Sequence, residues 1–305
     1  MNFNISKNTI REVLKKEFGI ENVQLSETKL GFVAMGFKVE SRERKYFFKI
    51  WKKGRYDENV LESIKIYKKL QKLEFVPELL RSFHNSKFIF ALFEFLEGEW
   101  TYDYDNKKLA EYLSRLHSIG NLSNGSPMEE FEIIYEKELW EILENIFRNN
   151  PKDYYEKFVR DFLEAYEIEI RKHWEYFIKL RDELKSLGSE TFVMTHGDLF
   201  GNVMDKDGKL YIFDWDAILL SFSERDLWFK FNDGEFMKNY KKFNLNYSEN
   251  IKAYEYYLLN RYFYDLYGFL VEILNPNNNG EKRKENILLL EKDWKGWLYK
   301  EVKNL

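Results

Sequence analysis

The hydrophobic pattern changes period at Gly98, and that change limits the possible architecture more than any other feature of the chain. Before it, short β-branched and aromatic runs dominate: Tyr46 to Trp51, Leu80 to Phe83 and Phe88 to Leu96, separated by polar turns such as Ser41–Arg44 and His84–Lys87. Runs of this length and composition read as strands. Two helices interrupt them. Ile10, Val13, Leu14 and Phe18 recur at helical spacing behind Ser6, a candidate cap, and stop at Gly19. Tyr56 to Leu73 places Val60, Leu61, Ile64, Tyr67 and Leu70 on one face. After Gly98 the helical period takes over, from Lys107 to Ile119 and again from Met128 to Gly188 with a break at Asn149-Asn150-Pro151. A β island returns at Thr191–Thr195, Gly201–Met204 and Leu210–Trp215, and a type I turn is expected at Asp205–Gly208. The pattern predicts an α+β fold with a small β-rich lobe, residues 1–97, ahead of a larger helical lobe, residues 98–305.

Composition removes several function classes. The 305 residues include no cysteine, so disulfides, thiolate zinc sites and a cysteine nucleophile are excluded. Only four histidines argue against a multi-histidine metal centre. The net charge of −4 makes nucleic acid a poor main partner. No apolar run approaches the ~20 residues that span a bilayer, and Glu12 and Glu17 interrupt the place where a signal peptide would need its apolar stretch. A soluble cytoplasmic protein, monomeric or weakly dimeric, is the expectation. Residues 1–97 carry 19 Lys and Arg against 13 Asp and Glu, and the remainder carries 29 against 39. The split suits an anionic ligand in the first part and a cationic one in the second, although solvated surfaces alone also produce such splits.

The segment with the most chemistry runs from Phe192 to Met204 and on to Tyr211–Asp216. It sets Asp198, Asn202, Asp214 and Asp216 on loops and strand ends around one hairpin. Acids at the ends of hydrophobic strands supply the oxygen ligands that hard cations such as Mg²⁺ require, and a nearby Asp can orient and deprotonate a hydroxyl. If the strand continues through them, Asp214 and Asp216 share a face.

These residues resemble the aminoglycoside phosphotransferase family, a branch of the protein-kinase-like fold. His196-Gly-Asp198…Asn202 is similar to the family's His-Gly-Asp loop, and Phe213-Asp-Trp-Asp216 to its metal-binding strand. Together with Ser223-Glu-Arg-Asp-Leu227, the wording most resembles the spectinomycin phosphotransferase subgroup. Leu109 to His117 resembles the first long helix of the large lobe, and Phe93 to Gly98 the inter-lobe hinge. There is one departure: Asn202 follows Asp198 by four positions, one fewer than in the family. The resemblance implies a two-lobed fold and ATP, or alternatively GTP, with Mg²⁺. It implies Asp198 as catalytic base, Asn202 and Asp214 as metal ligands, and Lys49 as the lysine gripping the phosphates. It implies Glu62 as the helix acid paired with Lys49, Gly31 to Gly36 as cover for the phosphates, and the backbone of Glu94 and Leu96 as the adenine contact. Taken singly each has an ordinary reading: a strand lysine is usually exposed, and a helix glutamate is usually a surface acid. Their order along one chain is what carries the resemblance.

The implied acceptor is a small hydroxylated cation such as an aminoglycoside or aminocyclitol, with antibiotic resistance as the consequence. Its pocket should hold carboxylates. Candidates are Asp216 and Glu224 beside the catalytic loop, and Asp265 and Glu272, seven apart on one predicted helix; each also fits a solvated surface acid. Tyrosines between Tyr254 and Tyr267 crowd that helix and suit either core packing or a cage for a quaternary ammonium. Hence a small-metabolite kinase (choline, ethanolamine, homoserine or methylthioribose) is the alternative enzyme. A non-catalytic nucleotide-binding module is the alternative of another class.

Overall fold

Alternation along Lys45–Lys52 sorts its side chains cleanly: Phe48 and Ile50 go to one face, Lys49 and Trp51 to the other. This is β3, the middle strand of a five-stranded antiparallel sheet in the computed structural model, which describes residues 5–28, 34–54, 57–101, 105–119, 126–303 and 305. The other strands are β1 (Gln24–Thr28), β2 (Ala34–Glu40), β4 (Leu79–His84) and β5 (Phe88–Glu94), in the order β1-β2-β3-β5-β4. Helix α1 (Lys7–Phe18) covers the Phe48 face, where Ile10 and Leu14 join Phe37, Val39, Phe90 and Leu92 in a buried cluster. The helix starts as its sequence predicts: the Ser6 hydroxyl accepts the Thr9 N–H at 3.1 Å. It stops at Gly19 with φ 71°, a left-handed conformation that glycine takes without steric cost. Helix α2 (Asp57–Leu70) lies on the Lys49 face, with Tyr67 edge-on to Phe93 at 5.4 Å.

The chain continues through β6 (Glu99–Trp100), α3 (Asn106–His117), α4 (Glu136–Arg148) and the 33-residue α5 (Tyr154–Ser186). The β island supplies β7 (Val193–Thr195), β8 (Val203–Lys206), β9 (Lys209–Ile212) and β10 (Leu219–Ser221). Helices α6 (Glu224–Leu227), α7 (Gly234–Phe243), α8 (Ile251–Leu274), α9 (Gly280–Leu289) and α10 (Tyr299–Val302) complete it, with a π-helical stretch, Leu290–Leu298, between the last two. The β8–β9 turn differs from the expected type I. Asp207 and Gly208 both have positive φ (55° and 77°), the mirror-image turn that matches strand twist.

Two compact units emerge. One comprises residues 1–128, 193–220 and 235–245, and the other comprises 129–192, 221–234 and 246–305. The division does not run at a single break after residue 97, because the β island folds with the sheet. Ile212 donates its N–H to the Phe75 carbonyl at 2.8 Å, and Trp215 packs against Phe75 and edge-on to Tyr67. In the same unit β6 pairs with β8, and Gly98 makes that approach possible: a Cβ there would lie 2.5 Å from the Asp205 carbonyl and 2.9 Å from Met204. Gly98→Ala should therefore part β6 from β8 and lower the melting temperature by several degrees, as for a loss of ~1–2 kcal/mol; an unchanged thermal transition would show that the strands yield without cost.

In the second unit the tyrosine-rich α8 packs on α5, with Phe177 stacked on Tyr256 at 5.0 Å and on Phe263 at 5.5 Å. Tyr254, Tyr256, Tyr257 and Tyr262 are all buried. Of the two readings of these aromatics, core packing describes these four. Trp294, in the π-helical stretch, lies fully buried against Phe162, Tyr166 and Tyr262.

Candidate active site

The site grows from three short pieces of chain within the first unit: strand β3, the loop between β7 and β8, and the turn after β9. Strand alternation delivers Lys49 and Trp51 side by side. Both are nearly excluded from water, at 9% and 3% exposure. A lysine so placed needs anionic partners to remain charged. Strand β9 ends at Ile212 rather than continuing through the acids. Asp214 instead adopts φ 61°, ψ 58°, and Trp215–Ala217 makes a 3₁₀ turn. A non-glycine residue in the left-handed region is uncommon and often marks a working site. The turn nevertheless brings both acids to one point. Lys49 Nζ lies 2.6 Å from Asp214 Oδ1 and 2.8 Å from Asp216 Oδ2. Asp216 also accepts the Trp51 indole N–H at 2.6 Å.

The charges follow from these contacts. Burial alone would lower the Lys49 ammonium, but Asp216 and Asp214 outweigh it and hold it above the ordinary lysine range. Burial acts to raise Asp214 too, and there the neighbouring Lys49 prevails, keeping its carboxyl below the usual range. At Asp216 burial prevails, reinforced by the charge on Asp214, and the carboxyl is pushed up despite Lys49 and Trp51.

The pair expected between Lys49 and Glu62 does not form. Glu62 is engaged by Lys65 at 2.8 Å, one turn along α2, while the two aspartates take the lysine. Helix α2 is tied to the site by another residue: the Ser63 hydroxyl donates to the Asp216 carbonyl at 3.2 Å.

The loop carrying Asp198 is shaped by His196, which is fully buried. Its Nε2 lies 2.7 Å from the Phe213 carbonyl and its Nδ1 3.2 Å from the Asp198 backbone N. A proton on Nε2 serves both bonds, since Nδ1 is then free to accept from Asp198. Trp215 stands edge-on to the imidazole at 4.6 Å. The missing residue between Asp198 and Asn202 is absorbed by a tight turn. Asn202 N–H donates to the Leu199 carbonyl at 3.0 Å, and Gly201 has φ 85°, the conformation required at its third position. The shortened loop still folds Asn202 back onto Asp198. Its Nδ2 donates to the Asp198 carbonyl at 2.7 Å and approaches Oδ2 at 3.4 Å. With the amide nitrogen so engaged, the oxygen is the group Asn202 can offer a cation.

At the end of β5, Glu94 N–H is taken by the Glu78 carbonyl at 2.9 Å, and its side chain accepts the Glu78 N–H at 2.7 Å. What Glu94 can offer a purine is thus its carbonyl, and Leu96 follows nearly buried. Gly36 lies within strand β2, opposite Lys49 in the register. A Cβ there would meet Thr28 Oγ1 at 2.3 Å. Gly31 lies outside the described residues. Sequence reasoning missed two aromatic residues here: Trp51, whose position two after Lys49 was the available signal, and Trp100, 43% exposed with its ring 5.1 Å from that of Phe213.

The four carboxylates considered for the acceptor all have partners within the protein. Asp216 holds Lys49 and Trp51. Glu224 is buried, raised by that burial, and accepts from Tyr247 at 2.9 Å and the Asn250 N–H at 3.0 Å. Asp265 takes Arg261 at 2.9 Å, and Glu272 takes Lys282 and Asn278. Among the described residues no helix is long and apolar enough to cross a membrane.

Comparison with known proteins fits this arrangement. Residues 31–241 match the model of the phosphotransferase enzyme family, APH. A sequence search of curated proteins finds no match. Among solved structures, spectinomycin phosphotransferase APH(9)-Ia in complex with ADP and spectinomycin is similar over 95% of this chain and 94% of its own, at 19% identity and a TM-score of 0.77. A microcompartment-associated aminopropanol kinase is similar over 95% and 98%, at 11% identity and a TM-score of 0.63. Choline kinase from Cryptosporidium parvum Iowa II is similar over 96% and 100%, at 15% identity and a TM-score of 0.53. At these identities the structural likenesses establish the kinase-like α+β fold. The family match spans more than half of the chain and includes Lys49, Asp198, Asn202 and Asp214, so the chain is a phosphotransferase and belongs to the APH phosphotransferase enzyme family.

Proposed function

We propose that this chain moves the γ-phosphate of ATP to a hydroxyl of a small cationic acceptor, of the aminoglycoside or aminocyclitol kind. The observation that carries the reading is the convergence of Lys49, Asp214, Asp198 and Asn202 within one compact unit. Phosphoryl transfer needs positioning and charge neutralisation more than covalent chemistry. Lys49 supplies a fixed positive charge for the phosphates. Asp198, on a loop braced by His196 and Asn202, orients the acceptor hydroxyl and takes its proton. Glu94 and Leu96 offer backbone groups to the base, and the Trp100 and Phe213 rings, 5.1 Å apart, offer an apolar surface.

The donor set also fits Mg²⁺. One carboxylate and one amide oxygen, from Asp214 and Asn202, are the kind and number of protein ligands that Mg²⁺ uses when phosphate oxygens complete its shell. When bound it would neutralise phosphate charge.

The test is ADP release from Mg·ATP across a panel of hydroxylated acceptors: spectinomycin, kanamycin-like and streptomycin-like aminoglycosides, choline and methylthioribose. The expected result is stimulation by one antibiotic class. Stimulation by choline or methylthioribose alone would keep the mechanism and install the small-metabolite reading. Nucleotide binding with no turnover on any acceptor would favour the non-catalytic module.

A further inference from the structure

We propose that Asp216, clamped by the Trp51 indole, is the residue that positions Lys49 for the nucleotide phosphates, a role the family resemblance assigns to Glu62. The inference rests on ATP being the donor and names a positioning device for that same site. Lysine is a point charge on a flexible four-carbon stem, and its aim depends on what anchors it. Here the anchors are Asp214 and Asp216. Only one of them is free for the task, since Asp214 is the carboxylate placed to serve the metal.

Asp216 is fixed on three sides. The same oxygen, Oδ2, lies 2.8 Å from Lys49 Nζ and accepts the Trp51 N–H at 2.6 Å. Its carbonyl accepts the Ser63 hydroxyl at 3.2 Å, which ties the turn to α2. Indole is a donor only, on a rigid ring, so Asp216 cannot rotate away without losing two charge-assisted bonds. Trp51 acts on Lys49 twice, because Nζ also lies 5.0 Å from the centre of its ring. Helix α2 keeps its link to the site through Ser63, while Glu62 is engaged by Lys65.

The experiment compares Asp216→Asn, Trp51→Phe, their combination and Glu62→Gln. Each is checked for an intact thermal transition, titrated with ADP in EDTA and again in Mg²⁺, and assayed for KM and kcat. A hydrogen bond to a charged group is worth enough to expect a loss of ADP affinity of about tenfold in EDTA for Asp216→Asn, and nearly as much for Trp51→Phe. Since the indole works through Asp216, the double variant should be no weaker than Asp216→Asn. Glu62→Gln should stay within about twofold, the change expected at a surface pair. In turnover the KM for ATP should rise while the acceptor KM holds; a purely structural defect would instead lower kcat by reducing the active fraction. Glu62→Gln losses equal to those of Asp216→Asn, or additive losses in the double variant, would overturn the role while leaving the donor reading intact. An unsubstituted chain that binds no ADP in either buffer would overturn both.

Discussion

Asp198→Ala should bind ADP as the unsubstituted chain does and turn over about 10²–10⁴-fold more slowly, the range by which a positioned acid–base group contributes. The separation of binding from turnover follows from how the loop is built. His196 accepts the Asp198 backbone N–H, and Asn202 donates to the Asp198 backbone carbonyl at 2.7 Å. From Asn202 the carboxylate takes the longer 3.4 Å contact. Removing it therefore leaves the loop and the Asn202 oxygen in place. Isothermal titration with Mg·ADP and single-turnover kinetics with the identified acceptor measure the two halves separately. Turnover within tenfold of normal would remove Asp198 from the chemistry, and a parallel loss of ADP affinity would show that its role is to hold the loop.

Lys49→Met should damage the fold as well as the activity. The substitution leaves Asp214 and Asp216 facing each other with no cation between them. Breaking a buried ion pair costs ~3–5 kcal/mol, and the lower end, about 3 kcal/mol, applies because water reaches part of Asp214, whose side chain is 36% exposed. Without the ammonium the two carboxylates favour a shared proton, so their combined affinity for protons in the folded state rises above that of the unfolded chain. A group raised in this way contributes most below its unfolded pKa, near 3.8 for aspartate, and loses that contribution as pH rises. The deficit of Lys49→Met should accordingly shrink from neutral toward acid pH, and Asp216→Asn in the same chain should restore part of it at pH 7. Urea denaturation at several pH values reads both effects. A pH-independent deficit of the same size would mean that lost packing, not charge, carries the cost.

Much of this site was legible from residue order alone. Lys49 lies on a strand, and Asp198, Asn202 and Asp214 lie in turns around one hairpin, because each is set by a local element whose signals are short-range: a strand, a tight turn, a hairpin end. Where the reading departed from the structure, the deciding contacts span long stretches of chain. Glu62 lies thirteen residues from Lys49 and fits a familiar pattern, yet Lys49 is taken by acids more than 160 residues away. Likewise, the carboxylates considered for an acceptor looked available in sequence, where the Arg261 beside Asp265 or the Tyr247 over Glu224 cannot be seen as a partner. Gly36, implied as cover for the phosphates, sits inside strand β2, where its register opposite Lys49 and the crowding by Thr28 require glycine.

The sequence by itself determined the kind of elements, the order of the chemical groups and the class of reaction, since these depend on periodicity and on residue types at fixed spacing. Only the tertiary structure decided which acid serves which cation. It folded the β island onto the sheet, absorbed the short Asp198–Asn202 loop in a turn at Gly201, and gave Asp216 to Lys49 and Trp51. Such pairings are settled by distance and desolvation, and buried charges take the partners that packing brings within 3 Å of them.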